Sequence, residues 1–274
     1  MSRFPLPRIS RQLRPSTVMK VVPVPVDQDN YAYLLIDEPS NKAAAIDPYD
    51  VGKVSATADA LGVEIVAAIT THHHFDHSGG NKAARYRNAV IYGGSNRIPA
   101  LTNLVKDKDE FRIGDNILVK CLSTPCHTQD SICYYVTDAL NKTHPGGVFT
   151  GDTLFIAGCG RFFEGTGGEM IKALNYLSSL PDETVVYNGH EYTAGNLSFG
   201  KHVDPHNVCL DKLAGLVTEN EITTGLTTIG DEKTWNVFMR LNSEAVRQAT
   251  SASAHTSDSE IMDSLREQKN NYRG

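Results

Sequence analysis

Between residues 21 and 190 the chain alternates short apolar runs with polar turns, at 21–26, 31–36, 43–46, 65–69, 90–92, 117–122, 132–136, 148–150 and 184–187. Runs this short and rich in β-branched and aromatic residues predict strands rather than helices. The clearest helix in this part is 169–180, where Met170, Ile171, Leu174, Leu177 and Leu180 recur on one face. Thr166 and Glu169 supply an S/T-x-x-E start and Pro181 a stop. Strands interleaved with helices predict sheets covered by helices. Past His190 the strand pattern fades. Residues 210–217, 244–249 and 261–269 read as helices, and the small polar stretch 250–259 reads as a loop. The expected division is a catalytic domain over 19–190 and a small, mostly helical domain over 191–274. No internal repeat is evident.

Composition narrows the class. A chain of 274 residues, 40% hydrophobic and 21% charged, has enough apolar material for a sizeable core and lies far from the composition of disordered chains. No uncharged apolar run approaches the roughly 20 residues that a membrane helix needs. A net charge of −6 argues against nucleic acid as a general partner, because phosphate binding requires a cationic surface. Five cysteines without a CxxC pair, in a chain too large to depend on disulfides, point to a reducing compartment. The N-terminus differs from the rest: Arg3, Arg8, Arg11, Arg14 and Lys20 precede the first acidic residue, Asp27. Over residues 1–18 this reads as a mitochondrial transit peptide or a basic tail, and Met19 offers an internal start. The expected location is the mitochondrial matrix, the cytoplasm, or both.

The chemistry concentrates at residues 70–81, TTHHHFDHSGGN, directly after the apolar run 65–69. His72, His74, Asp76 and His77 form HxHxDH. Neutral imidazole and carboxylate are the ligands that zinc and related first-row metals prefer. Such a density of them without a metal would leave polar groups competing for partners. The middle residue, His73, faces the other way in an extended segment and is expected to be structural. Three further candidates each follow a predicted strand: His127, Asp152 and His190. Strand-end loops on one sheet edge are where rigid scaffolds carry reactive groups, so these residues can converge. Seven ligands are too many for one tetrahedral ion and suit two ions that share a carboxylate.

The segments THHHFDHSGGN, PCHT (125–128), FTGDTLF (149–155) and GHEYT (189–193), in this order, resemble the metallo-β-lactamase superfamily, and within it the glyoxalase II, or hydroxyacylglutathione hydrolase, family. The resemblance spans about residues 19–269. It implies an α/β fold, a four-layer αββα sandwich followed by a helical domain that binds substrate. It also implies two divalent metal ions per chain, with zinc the first expectation and iron or manganese also suited to such ligands. His72, His74 and His127 would hold one ion, Asp76, His77 and His190 the other, and Asp152 would bridge them. Asp76 and Asp152 are the expected catalytic carboxylates, with Asp76 also orienting the attacking water. Where many relatives carry a further histidine after PCHT, this chain has Gln129, Asp130 and Ser131; that histidine is not a metal ligand in the family pattern. Cys126, beside His127, is expected to be a packed thiol.

The same resemblance names the substrate, a glutathione thioester such as S-D-lactoylglutathione, cleaved to glutathione and a 2-hydroxy acid. Arg266 and Lys269, in LREQK, would hold the glycine carboxylate from one helix face. His190 and Tyr192 would contact glutathione, with Arg161, Phe162 and Phe163 of CGRFFEGT completing the substrate loop. Animal members carry lysine and tyrosine where this chain has Arg161 and Phe163. The expected protein is a monomer acting on a small molecule, without membrane or nucleic-acid partners. The competing readings are a glutathione-linked persulfide dioxygenase of the same fold and a non-catalytic binding module that retains it.

Overall fold

The computed structural model describes residues 18–274. Apart from Val18, the proposed transit peptide over 1–18 lies outside them. Six strands form a first sheet in the order β1 (Met19–Val26), β2 (Asn30–Asp37), β3 (Lys42–Ile46), β4 (Glu64–Ile69), β5 (Val90–Gly93) and β6 (Asn103–Leu104). The first three run antiparallel and β3 to β6 run parallel. Parallel neighbours need a crossover, and helix α1 (Val51–Leu61) supplies the one between β3 and β4. Asp50 caps α1 and Gly62 closes it.

The second sheet contains β7 (Glu110–Ile113), β8 (Ile117–Ser123), β9 (Ile132–Asp138), β10 (Gly147–Gly151) and β13 (Val185–Asn188), in the order β13-β10-β9-β8-β7. Two further strands, β11 (Leu154–Phe155) and β12 (Gly158–Cys159), make a separate hairpin. Helix α2 (Phe75–Ser78) is a single turn within the histidine motif, and α3 (Gly167–Ser178) is the crossover between the parallel pair β10 and β13. The expected start of α3 is present as a capping box in which Thr166 and Glu169 each bond the other's backbone N–H.

Period-two alternation explains why strands such as β2 are buried along their whole length. Leu34 and Ile36 pack outward with Val54 and Ala58 of α1, while Tyr33 and Leu35 pack inward between the sheets with Ile117, Val119 and Phe149. On the far face of the second sheet, Leu122, Cys133, Val148 and Val186 meet Met170, Leu174 and Leu177 of α3. Four layers therefore enclose three apolar seams. All five cysteines are free thiols, four of them buried.

The rest of the chain is helical: α4 (Thr193–Val203), α5 (Cys209–Glu219), α6 (Ile229–Trp235), α7 (Glu244–Ala249) and α8 (Asp258–Asn271). Ile261, Met262 and Leu265 of α8 pack into the same seam as α3, so these helices lie against the sandwich. Buried Glu232 of α6 ties down the β11–β12 hairpin. It accepts from the Ala157 N–H at 2.8 Å and from the Trp235 and Asn236 side chains at 3.0 Å each, while Asn236 also donates to the Gly158 carbonyl. Burial pushes the Glu232 carboxyl up to about 7. Among the described residues no helix is long and apolar enough to cross a membrane.

Candidate metal centre

Strand direction brings the ligand candidates together. Strands β8 and β10 both pair antiparallel with β9 and therefore point the same way, and β13 runs parallel to β10. His127, Asp152 and His190 follow the carboxyl ends of these three strands, so they emerge on one edge of the second sheet. The histidine motif follows β4 in the first sheet. Backbone bonds from Ile132 to Thr71 and from Tyr31 to Gly189 join the two sheets along that edge. Two glycines permit the approach. Gly151 has φ +46°, and a Cβ there would lie 2.5 Å from Thr71 Oγ1; a Cβ on Gly189 would lie 2.5 Å from Asp152 Oδ1.

His72 Nε2 and His127 Nε2 lie 3.0 and 3.1 Å from His74 Nδ1. In a second group, His77 Nε2 and His190 Nε2 are 3.3 Å apart, and each is 3.6 Å from Asp76 Oδ2. Asp152 stands between the groups: Oδ2 is 3.4 Å from both His127 and His190, and Oδ1 is 3.3 Å from His77.

The second nitrogen of each of four imidazoles decides what the first can offer. His127 Nδ1 donates to the Arg161 carbonyl at 3.0 Å, His77 Nδ1 to Asp47 at 2.9 Å, and His190 Nδ1 to Asp29 at 2.8 Å. His72 Nδ1 donates to the Thr71 hydroxyl at 3.1 Å, whose own proton goes to Asp47. These partners leave all four Nε2 atoms as bare lone pairs aimed inward. Asp152 Oδ1 is buried without a hydrogen-bond donor. With one tautomer proton per ring, the inward Nε2 lone pairs and the Asp152 carboxylate repel one another unless protons or metal cations lie among them, and the raised His77 and His190 show that positive charge is favoured there. The ligand spacing agrees: nitrogens around a tetrahedral zinc, with bonds of about 2.0–2.1 Å, sit about 3.3 Å apart. The residues fit two divalent ions.

Electrostatics separates the two groups. Burial, with the neighbouring imidazoles, lowers His72 and His74, and burial lowers His127, so the first group favours the neutral imidazoles that metals bind. At His77 burial acts in the same direction, but the carboxylates of Asp152 and Asp47 outweigh it and raise the group well above its ordinary value. Burial likewise opposes ionisation of Asp152, yet His77 and His190 hold its carboxyl well below the usual range. The second group thus carries a negative potential that a cation answers.

A cleft of about 570 Å³ opens from His127 and Asp152 towards the C-terminal helices. Arg161, Phe163, Tyr192, Arg266 and Lys269 all line it. Phe163, 61% exposed, packs edge-on against His74 and His127 at the mouth. Tyr192 stacks on His190 with ring centroids 4.7 Å apart. Arg266 is buried, donates to the Cys159 carbonyl at 2.7 Å and lies over Phe238, while Lys269 donates to the Gly195 carbonyl at 2.8 Å. Phe162 does not line the cleft; it packs, partly buried, against the seam beneath α3. His73 bonds Asp130 at 2.8 Å and faces away from the ligand groups. The Cys126 thiol donates to the Thr166 carbonyl, and burial pushes its pKa up to about 12.

Sequence reasoning missed Asp29 and Asp47, which orient His190 and His77, and Asn30, whose amide donates to Asp76 Oδ2 at 2.9 Å. Asp47 had a usable signal, because it follows an apolar strand as the ligands do. Asp29 and Asn30 sit in an ordinary polar turn.

Comparison with known proteins agrees over most of the chain. Residues 191–272 match the family described as hydroxyacylglutathione hydrolase C-terminus. A probable hydroxyacylglutathione hydrolase of Schizosaccharomyces pombe is 42% identical over 92% of this chain and 98% of its own. The cytoplasmic hydroxyacylglutathione hydrolase of Arabidopsis thaliana is 40% identical, covering 93% of this chain and 100% of its own. Among solved structures, a metallo-beta-lactamase from Staphylococcus aureus superposes with a TM-score of 0.65 at 26% identity, over 93% of this chain and 72% of that one. The ETHE1 protein of Myxococcus xanthus gives 0.64 at 27% identity, over 90% and 89%.

Proposed function

The chain belongs to the hydroxyacylglutathione hydrolase family, on the metallo-β-lactamase fold, and we propose that it hydrolyses S-D-lactoylglutathione and related 2-hydroxyacyl thioesters to glutathione and the free acid. One observation carries this reading: inward-facing lone pairs and the Asp152 carboxylate stand at the inner end of a cleft edged by cationic side chains. His72, His74 and His127 would hold one divalent ion and Asp76, His77 and His190 the other, with Asp152 shared; zinc is the metal we assign, and iron or manganese suits the same donors. Such a pair supplies Lewis acidity and lowers the pKa of water from 15.7 towards about 7.

The chain's own groups do the rest. Asp76, held by the Asn30 amide, orients the attacking water with one carboxylate oxygen. Phe163 against His74 and His127, and Phe155 against His190 and Tyr192, shield the reacting carbonyl from bulk solvent. A thiolate, with a pKa of about 8.5, leaves without a strong general acid. Glutathione carries two carboxylates; Arg266 and Lys269 are the cations proposed to hold the glycine carboxylate, with Arg161 lining the same cleft. Arg266 also shapes that end of the cleft from beneath, through the Cys159 carbonyl. Residues 19–190 act as the catalytic unit and 191–274 as the substrate-binding unit of a monomer. We place it in the cytoplasm, as the name of the Arabidopsis relative does for that protein, with the mitochondrial alternative resting on residues 1–18.

Purified, metal-replete protein is expected to release D-lactate and glutathione from S-D-lactoylglutathione without consuming oxygen. Oxygen uptake on a glutathione persulfide, with no thioester turnover, would replace this reading by the dioxygenase one. Phe163→Tyr is expected to leave kcat within a few fold and to lower KM modestly, since one added hydroxyl hydrogen bond is worth about 0.5–1.5 kcal/mol. A hundredfold change in kcat would show that the loop has another role.

A further inference from the structure

Cys159, Gly160, Arg161 and Phe163 line the cleft, and the segment 159–166 that carries them is tied to the sandwich at several points, among them the Arg161 carbonyl and the packed Phe162 ring. Its clearest tether is Glu164. Its Oε1 accepts from Arg97 Nη1 at 2.7 Å, its Oε2 accepts from the Gln129 N–H at 2.7 Å, and its carbonyl accepts from the Gln129 side chain at 2.8 Å. Arg97 sits in the loop after β5. Its second arm, Nη2, donates to His73 Nε2 at 2.6 Å. His73 must then carry its proton on Nδ1, which donates to Asp130 at 2.8 Å; Asp130 in turn accepts from Ser95 and Thr128. One guanidinium thus joins the histidine motif, between His72 and His74, to the substrate loop, one residue from Phe163.

We infer that Arg97 is a positioning residue that sets the distance between the substrate loop and the metal ligands, and so governs how a glutathione thioester is held. This rests on the thioesterase reading above. Two magnitudes favour positioning over stability. Arg97 is 54% exposed and Glu164 26%, and an ion pair this wet adds little to folding. Loop placement, by contrast, acts on Phe163 and on the Arg161 carbonyl that orients His127. A displacement of about 1 Å in a loop that positions substrate can cost up to about a hundredfold in kcat/KM. The planar fork of arginine spans both partners at once, which a lysine ammonium does not reproduce.

The test compares wild type with Arg97→Ala, Arg97→Lys, Glu164→Gln and the Arg97→Ala/Glu164→Gln double variant. Readouts are kcat and KM on S-D-lactoylglutathione, metal ions per chain, and amide hydrogen exchange over 159–166. Arg97→Ala is expected to raise KM about tenfold, to keep kcat within about threefold and to speed exchange in the loop at unchanged metal content. Arg97→Lys should recover only part of this, and the double variant should be no worse than Arg97→Ala. Unchanged KM with unchanged loop exchange in Arg97→Ala and Glu164→Gln overturns the inference, as does an activity loss that merely tracks lost metal. A wild type without thioester turnover defeats the functional reading instead, and the exchange data still decide whether Arg97 holds the loop.

Discussion

Asp152→Asn is expected to lower kcat/KM by on the order of 10⁴-fold and to leave about one metal ion per chain in place of two. The reason is geometric. Among the described residues Asp152 is the one carboxylate within 3.4 Å of nitrogens from both ligand groups, and its Oδ1 is buried with no donor to satisfy it. Asparagine has nearly the same shape, so strand β10 and the Gly151 turn should hold. Its amide, however, brings two protons where two cations require lone pairs. Metal analysis and steady-state kinetics on the same preparation check the result. Two ions retained with activity within tenfold of wild type would mean that the groups are not joined through Asp152.

Chelation comes second in size. Removing metal should abolish thioester hydrolysis by on the order of 10³-fold or more, and zinc should restore it. Far-UV circular dichroism should hardly change, because the three apolar seams are built from strand and helix side chains and include none of the seven ligands. Reconstitution with iron and with manganese, each followed by turnover, tests the zinc assignment. Activity that survives exhaustive chelation would remove the metals from the reaction.

The predicted strands were legible because an alternating run with both faces covered, such as 31–36, is apolar at every position. Strand β7, EFRI, is partly exposed on an edge and hides in polar sequence. Helix α1 was missed because its buried face is only Val54 and Ala58, and α4 because the face it buries includes Thr193, Asn196 and Gly200, which carry no hydrophobic signal. Phe162 and Phe163 are indistinguishable as neighbours in a sequence, yet one packs under α3 while the other stands at the cleft mouth.

What the sequence determined by itself was local and chemical: which segments pleat, where helix α3 starts, and which side chains own the lone pairs a metal needs. Tertiary structure alone decided how those lone pairs point. Asp29 fixes His190 from 161 positions away, Asp47 fixes His77 from 30, and Arg97 reaches Glu164 across 67. An imidazole's tautomer depends on whatever its other nitrogen touches, and that neighbour is supplied by the packing of two sheets and not by the adjacent residues.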